Sequence, residues 1–375
     1  MKPSNFALTA LTTLTAHAPF GSLVPLTSLA RLAPFASLAY TLASALLSAC
    51  GGGGGSVPAP VTVTAPAPAV VVPVAPAIPP TAFSNLYQPL QTSVAPTTYT
   101  GRDLEEFTNL NRLRTHCGFG VLANNESLRA AATDHANYID TYGNRVLTAG
   151  LSLHEQFSQF PNGFTGFTVA DRIRYRGYLS TSFGEVIAGS IASKSAVHGL
   201  LSAPYHAGAT LGGQTEVGIA SRGAIVMDFG LPGKRQRSGP GILTYPCEGV
   251  TGTQISMSGE RPMPYPVENP TGSPIGQAVY FFADESVRLA PGRKTLMDIT
   301  RLSMTEAVSG KEVALLPVMN RETDPNFVYI SPGFAFAAPE KPLKALTAYR
   351  VRATVIADGQ PTLVDYTFTT GTGAQ

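Results

Sequence analysis

Apolar residues at helical spacing predict the first elements of the folded part of the chain. They repeat every three or four positions over 101–114, which predicts a helix that ends before a pair of glycines. The polar run 124–127 is typical of a helix cap, so a second helix is expected over 128–142. His135 falls on the apolar face of that helix, and we interpret it as a core histidine rather than a ligand.

The elements become shorter in the stretch that follows. An amphipathic helix is expected over 169–178, a helix or strand over 183–191, and a helix over 192–201. An alternating pattern predicts two strands of a hairpin, 216–220 and 223–230, around 221–223. The short helix carries three arginines, which we interpret as a solvated face rather than an anion site: Arg172, Arg174 and Arg176.

From about residue 275 onward the pattern is that of short strands. The clearest prediction is a hairpin in which 347–357 and 363–370 alternate on either side of Asp358-Gly359. Strands at this spacing predict a sandwich of the seven-strand type. The other strand candidates are 278–282, 301–305, 313–319 and 327–330.

The N-terminal segment 1–49 reads as an export signal. An uncharged, mostly apolar run over 32–49 ends in small residues directly before Cys50. That ending resembles a bacterial lipobox, where a signal peptidase cuts and the cysteine is acylated. An ordinary transmembrane helix is the alternative, which Pro34 and the small residues disfavour.

Composition separates the rest of the chain into four parts. The Gly- and Pro-rich stretch 50–97 predicts a tether, because dense proline favours stiff polyproline II and glycine is flexible. A second such stretch, 233–274, is interpreted as a connector. Between and beyond them lie a mixed region at 98–232 and a β-sandwich at 275–375, so the expected fold class is α+β. A formal net charge of only +2 gives no reason to expect a nucleic-acid partner.

The cysteine count favours one disulfide. The chain has three cysteines, and acylation of Cys50 would leave Cys117 and Cys247. An even number in an exported protein predicts a disulfide between them. Two buried free thiols are the alternative, whereas the lack of a CxxC spacing disfavours a metal pair.

Several short motifs, taken as an ordered set over about 101–230, resemble the bacterial branch of the CAP superfamily, also called SCP-like extracellular domains. The stretch 346–370 also resembles the closing strands of bacterial immunoglobulin-like or fibronectin-like modules. The motifs that resemble the CAP superfamily are Asn111-Arg112-Leu113-Arg114, Cys117-Gly118, 128–138, His154, Gly184-Glu185-Val186, Ala203-Pro204-Tyr205-His206 and 216–220.

The resemblance implies an α-β-α sandwich with a cleft that usually carries two histidines and two glutamates. Carried over to this chain, the cleft residues are His154, Glu185 and His206. Glu155, beside the first histidine, is the candidate fourth acid, with Glu216 as the other possibility. Some members of the family bind a divalent metal in the cleft, so a zinc-like ion is a candidate cofactor. A valine follows Glu185 where the family often has asparagine.

Three functions are compatible with these residues. The first is a binding module, lipid-anchored at the cell envelope and expected at the outer membrane, with a lipid, a small ligand or an envelope component as partner. The second is a hydrolase in which His154 and His206 hold a metal and Glu185 is the base. The third is a structural adhesin with an inert cleft. The sequence after His154 lacks the second histidine of a zinc-protease helix, and no G-x-S-x-G elbow occurs.

The lipoprotein interpretation predicts that Cys50→Ala releases the protein from the membrane fraction. Acyl chains on this cysteine are the expected anchor, so labelled fatty acid should attach to the wild-type chain and not to the variant. Fractionation and fatty-acid labelling measure both effects. A wild-type chain that never takes up the label would contradict the interpretation.

Overall fold

The chain divides into two units, 1–73 and 74–375, and the computed structural model describes residues of the second unit only. Among the described residues, no helix combines the length and apolar character needed to cross a bilayer. The expected export signal, Cys50 and nearly all of the tether lie outside the described residues. The described residues are 88–89, 98–189, 195–231, 237–238, 241–260, 262–265, 274–285, 289–357 and 359–373.

Helices and strands are both abundant, so the fold belongs to the α+β class. The helices are α1 (Gly101–His116), α2 (Glu126–Thr148), α3 (Val169–Tyr175), α4 (Ala196–Leu200) and α5 (Pro204–Leu211), and a 3-10 turn covers Phe327–Tyr329. The strands are β1 (Gln88–Pro89), β2 (Ala123–Asn124), β3 (Phe183–Gly189), β4 (Glu216–Ser221), β5 (Ala224–Gly230), β6 (Arg237–Ser238), β7 (Leu243–Tyr245), β8 (Thr251–Thr253), β9 (Val279–Phe282), β10 (Met297–Glu306), β11 (Met319–Asn320), β12 (Phe334–Ala337), β13 (Ala348–Ala357) and β14 (Gln360–Thr370).

A four-stranded sheet in the order β2-β4-β5-β3 carries helices on both faces. Along β5, Met227 belongs to the core shared with Leu110 of α1, whereas its neighbour Val226 packs with Ala136 of α2. Alternate side chains of a strand point to opposite faces, so these two clusters lie on opposite sides of the sheet. α4 and α5 contact β3. A Cβ on Gly218 of β4 would lie 2.0 Å from backbone nitrogen in α2, so this close approach requires glycine.

Two further four-stranded sheets form the C-terminal half, in the orders β10-β13-β14-β8 and β11-β12-β9-β7. The predicted hairpin is confirmed as β13 and β14, with Val351, Val355 and Phe368 buried on its inner side. β14 pairs with β8 in parallel, and the other pairings along these two sheets are antiparallel.

The interval 233–274 is more than a connector, because it supplies strands to both C-terminal sheets. β7 pairs with β9, and β8 pairs with β14. These strands are only three residues long and lie among prolines and glycines, so they show too little alternation to be recognised in the sequence. The strand expected over 327–330 is also wrong, since Phe327–Tyr329 forms a 3-10 turn with Val328 exposed.

The helical half of the described chain (98–230) and its β-rich, C-terminal half (241–373) share one hydrophobic core. Phe119, after α1, meets Phe282 of β9 edge to face, with ring centroids 4.9 Å apart. On α5, a Cβ at Gly208 would come within 2.9 Å of the Phe334 ring. Such close contacts are typical of a protein interior, so the two halves pack against each other and are not merely joined by a flexible linker.

The structure brings Cys117 and Cys247 to disulfide distance, with sulfur atoms 2.14 Å apart. The bond joins the residue after α1 to the residue that follows the cis peptide Tyr245-Pro246. It therefore ties the helical half to the interval that supplies β7 and β8.

The disulfide closes a loop of 130 residues. The double variant Cys117→Ser/Cys247→Ser should lower the free energy of unfolding by up to about 5 kcal/mol, because its unfolded chain regains the freedom that the bond removes. Urea unfolding of both proteins, with and without reductant, measures the difference. Reductant should destabilise only the wild type, and equal stability of both proteins in oxidising buffer would contradict the assignment.

Candidate functional site

The first half of the candidate site is a hydrogen-bonded pair formed by His154 and Glu185. Nδ1 of His154, in the turn after α2, donates to Oε1 of Glu185 over 2.9 Å. The imidazole side chain is 44% exposed, whereas the carboxylate on β3 is only 2% exposed. The buried acid thus holds a surface imidazole by one ring nitrogen.

Arg172 supplies the fixed positive charge behind Glu185. Its Nη2 lies 2.5 Å from Oε2 of Glu185, and its Nη1 donates to the backbone carbonyl of His154 over 3.1 Å. A capping box between Thr168 and Asp171 begins α3 and so fixes the position of this arginine one residue later. The expectation of a solvated face is therefore wrong for Arg172, which is fully buried and whose two terminal nitrogens bond to Glu185 and to two carbonyl groups.

His135 is a core histidine, as the periodicity predicts. Its Nε2 donates to the carbonyl of Leu153 over 2.9 Å, and its Nδ1 accepts from Nε2 of Gln156 over 3.2 Å. Both ring nitrogens are satisfied by the neutral tautomer. Burial lowers the pKa of His135 to about 4, so the ring is uncharged at neutral pH.

A second buried acid lies beside Glu185. Asp228 of β5 is its cross-strand partner in the antiparallel register. Burial, together with the negative charge of Glu185, raises the pKa of Asp228 well above its usual range. Burial also opposes the charge on Glu185, but His135, Arg172 and the His154 hydrogen bond lower its pKa to about 2. Because His135 is neutral at pH 7, Arg172 provides the permanent positive charge beside the two acids.

The second half of the candidate site is His206 with Glu260. Nδ1 of His206, near the start of α5, donates to Oε2 of Glu260 over 2.9 Å. The carboxylate also accepts the backbone N–H of Tyr205, at 3.1 and 3.2 Å to its two oxygens. It therefore caps α5, where a negative charge is favoured by the helix dipole. The side chain of Glu260 is 1% exposed and that of His206 is 21% exposed.

The two halves meet at their imidazoles. The ring centroids of His154 and His206 are 6.1 Å apart, with the ring planes at 39°. Each Nδ1 is held by a carboxylate, and neither Nε2 is hydrogen-bonded to a residue that the structure describes. We call these two side chains the histidine pair. Its two Nε2 atoms are oriented by the hydrogen bonds that Glu185 and Glu260 form with the Nδ1 atoms on the other side of the rings.

Neither acid suggested to complete the site bonds to His154 or His206 among the described residues. The side chain of Glu155 forms no hydrogen bond or ion pair with a described residue, and Glu216 accepts a hydrogen bond from the Tyr178 hydroxyl. The acid that faces the second histidine is Glu260.

Sequence reasoning missed Glu260 because nothing in its neighbourhood distinguishes it. It lies within the Pro- and Gly-rich interval 233–274, outside the region that resembles the CAP superfamily, and no helical or strand period includes it. A buried charge in such a segment is recognisable only once its partners are known.

Among the described residues, no three His, Cys, Asp or Glu side chains are arranged to hold one metal ion. Glu185 and Glu260 lie behind the imidazoles and bind Nδ1 atoms, which is the position of an outer partner rather than of a ligand. The histidine pair could supply two nitrogen ligands to an ion, and the remaining positions would fall to solvent or to a bound molecule.

Comparison with known proteins does not assign the chain to a family. No protein-family model matches it, and no curated protein is significantly similar to it. The resemblance to the CAP superfamily therefore depends on the ordered motifs and not on overall similarity.

Protonation of His135 predicts an acid-sensitive fold. Its pKa is about 4 in the folded protein against an ordinary 6.5, so the unfolded chain takes up a proton first as the pH falls. Stability should therefore decrease through this window, with a contribution from His135 of up to about 3 kcal/mol. Urea unfolding at several pH values measures it.

The matched control is His135→Gln, which keeps a donor for Leu153 and an acceptor for Gln156 but does not titrate in this range. Relative to this variant, the wild type should lose stability between pH 6.5 and 4. Parallel pH profiles for the two proteins would contradict the buried neutral state of His135.

Proposed function

We propose that the chain is an exported, lipid-anchored protein of the cell envelope that binds a ligand or divalent metal at the histidine pair. In this proposal 98–232 is a CAP/SCP-like α-β-α sandwich, and 275–375 together with β7 and β8 is an immunoglobulin-like module. The outer membrane is the expected location, and the partner is a lipid, a small molecule or an envelope component.

The architecture supports the fold named in this proposal. A sheet covered by helices on both faces is what an α-β-α sandwich requires, and the ordered motifs occupy α1, α2, β3, α5 and β4. The two C-terminal sheets bury alternate residues of a long hairpin, as immunoglobulin-like modules do.

The observation that carries the function is the convergence of His154 and His206. They lie 52 positions apart in the sequence, yet their ring centroids are only 6.1 Å apart. Two imidazoles that share a zinc ion each place a nitrogen about 2.0–2.1 Å from it. Rings at this spacing are near enough to coordinate one ion together or to hydrogen-bond to one polar group of a ligand.

Binding is favoured over hydrolysis by the state of Glu185. Both of its oxygens are engaged, Oε1 by His154 and Oε2 by Arg172, and its side chain is almost completely buried. A general base must reach the proton that it removes. Glu185 is placed to orient an imidazole, so the hydrolase is the weaker alternative, and an inert adhesin would leave the ordered histidine pair without a role.

Zinc binding tests the proposal directly. The full chain should bind zinc ion with one site per molecule, measured by calorimetry and by metal analysis after dialysis. His154→Ala and His206→Ala should each lower the affinity by at least about 10-fold, the effect expected even for an outer partner.

The control is His116→Ala, which removes an exposed imidazole at the end of α1 that bonds to the carbonyl of Glu248. Its zinc affinity should equal that of the wild type. If all three variants bind like the wild type, the histidine pair is not the site, and if the folded wild type binds no zinc, the metal-binding form of the proposal fails.

A further inference from the structure

The segment that carries Glu260 is built into the C-terminal half. The carbonyl of Ile255 accepts the backbone N–H groups of Gln277 and Leu343, at 3.3 and 2.8 Å. The N–H of Met257 donates to the carbonyl of Ile275 over 2.9 Å. Glu260 follows Met257 by only three positions. The carboxylate that faces His206 therefore lies on a segment bonded into the β-rich half, and Ser258 of that segment also bonds to Ser202 of the helical half. His206 itself belongs to the helical half.

We propose that Glu260 is a positioning residue through which the C-terminal half fixes the tautomer and orientation of His206, so that the histidine pair is completed only when the two halves are docked. The inference deepens the proposed function and relies on it for the use of the site. Its test, however, does not require any ligand to bind.

The chemistry of the contact selects one tautomer. An ionised carboxylate can only accept hydrogen bonds, so Nδ1 of His206 must carry the proton. In the neutral ring this leaves the lone pair on Nε2, the nitrogen without a described partner. Capping of Tyr205 by the same carboxylate fixes the acid relative to α5 and leaves little freedom to the ring.

A second contact joins the same turn of α5 to the C-terminal half. The hydroxyl of Tyr205 donates to Asp324, at 2.9 and 3.0 Å to its two oxygens, and accepts from Nδ2 of Asn326 over 3.2 Å. Asn326 in turn donates to the carbonyl of Met263 over 3.0 Å. The turn that bears His206 is thus anchored on both sides by residues beyond position 257.

The same device occurs elsewhere in the fold without a histidine. Glu106 of α1 is fully buried and accepts the backbone N–H groups of Ala196 and Val197, at 2.9 and 3.2 Å, at the start of α4. Like Glu260 it caps a short helix from a distant point in the sequence. Unlike Glu260 it forms no hydrogen bond to the imidazole of any histidine that the structure describes, which makes it a matched control.

Nitrogen-15 NMR of the histidine rings in the full chain tests the inference, and the six histidines of the chain make the assignment tractable. The spectra are recorded at about pH 8.5, where an ordinary imidazole, of pKa ~6.5, is neutral. In the wild type, His206 and His154 should both carry the proton on Nδ1. In Glu260→Ala, His206 should lose this preference and gain protonation at Nε2, while His154 is unchanged.

Glu260→Gln is a second variant in case Glu260→Ala fails to fold, because the amide oxygen of the glutamine still caps α5. Its amide can donate as well as accept, so His206 should become a mixture of tautomers. Glu106→Gln should leave both rings as in the wild type. The inference is overturned if His206 keeps the wild-type tautomer in every folded Glu260 variant, or if Glu106→Gln shifts it equally. A shifted tautomer in a protein that binds no zinc would support this inference and contradict the proposed metal site.

Discussion

A buried carboxylate needs hydrogen-bond donors or a positive charge beside it, because its removal from water costs on the order of several kcal/mol. Glu185 and Glu260 are both almost completely buried, and each meets this requirement with a surface imidazole and with one further donor, Arg172 or the N–H of Tyr205. The positions of β3, α3 and α5 are tied to these contacts. The geometry of the histidine pair follows from the need to satisfy two acids.

The shared core explains how acids and imidazoles from distant segments stay in register. Packing between Phe119 and Phe282, together with the approach of Gly208 to Phe334, leaves little room for one half to move against the other. The disulfide from Cys117 to Cys247 adds a covalent tie across the same junction. Because the two halves are fixed against each other, a hydrogen bond between them keeps a defined geometry.

Much of the fold could be predicted from the sequence because its signals are local. Asn125 caps α2 through bonds to two backbone N–H groups, as its position before an apolar period predicts. The strict alternation of the final hairpin likewise identified β13 and β14. By contrast, the apolar run 327–330 reads as a strand but forms a 3-10 turn, since local composition does not determine whether a partner strand is present.

The candidate site divides along the same line. His154, Glu185 and His206 were found because they recur in order within motifs that resemble a known family. Arg172 and Glu260 were not, because a charged residue in a short helix or a Pro-rich interval normally lies in solvent. Their burial is a consequence of tertiary packing, and no period or spacing in the sequence records it.

The most direct test of the account is an experimental structure of the full chain grown with zinc, with anomalous diffraction recorded at the zinc edge. The account predicts one strong anomalous peak bonded to Nε2 of both His154 and His206, at about 2.0–2.1 Å from each nitrogen. It also predicts that Glu185 and Glu260 remain bonded to the opposite nitrogens of the rings. A structure with the two imidazoles apart, or with the ion bound elsewhere, would contradict it.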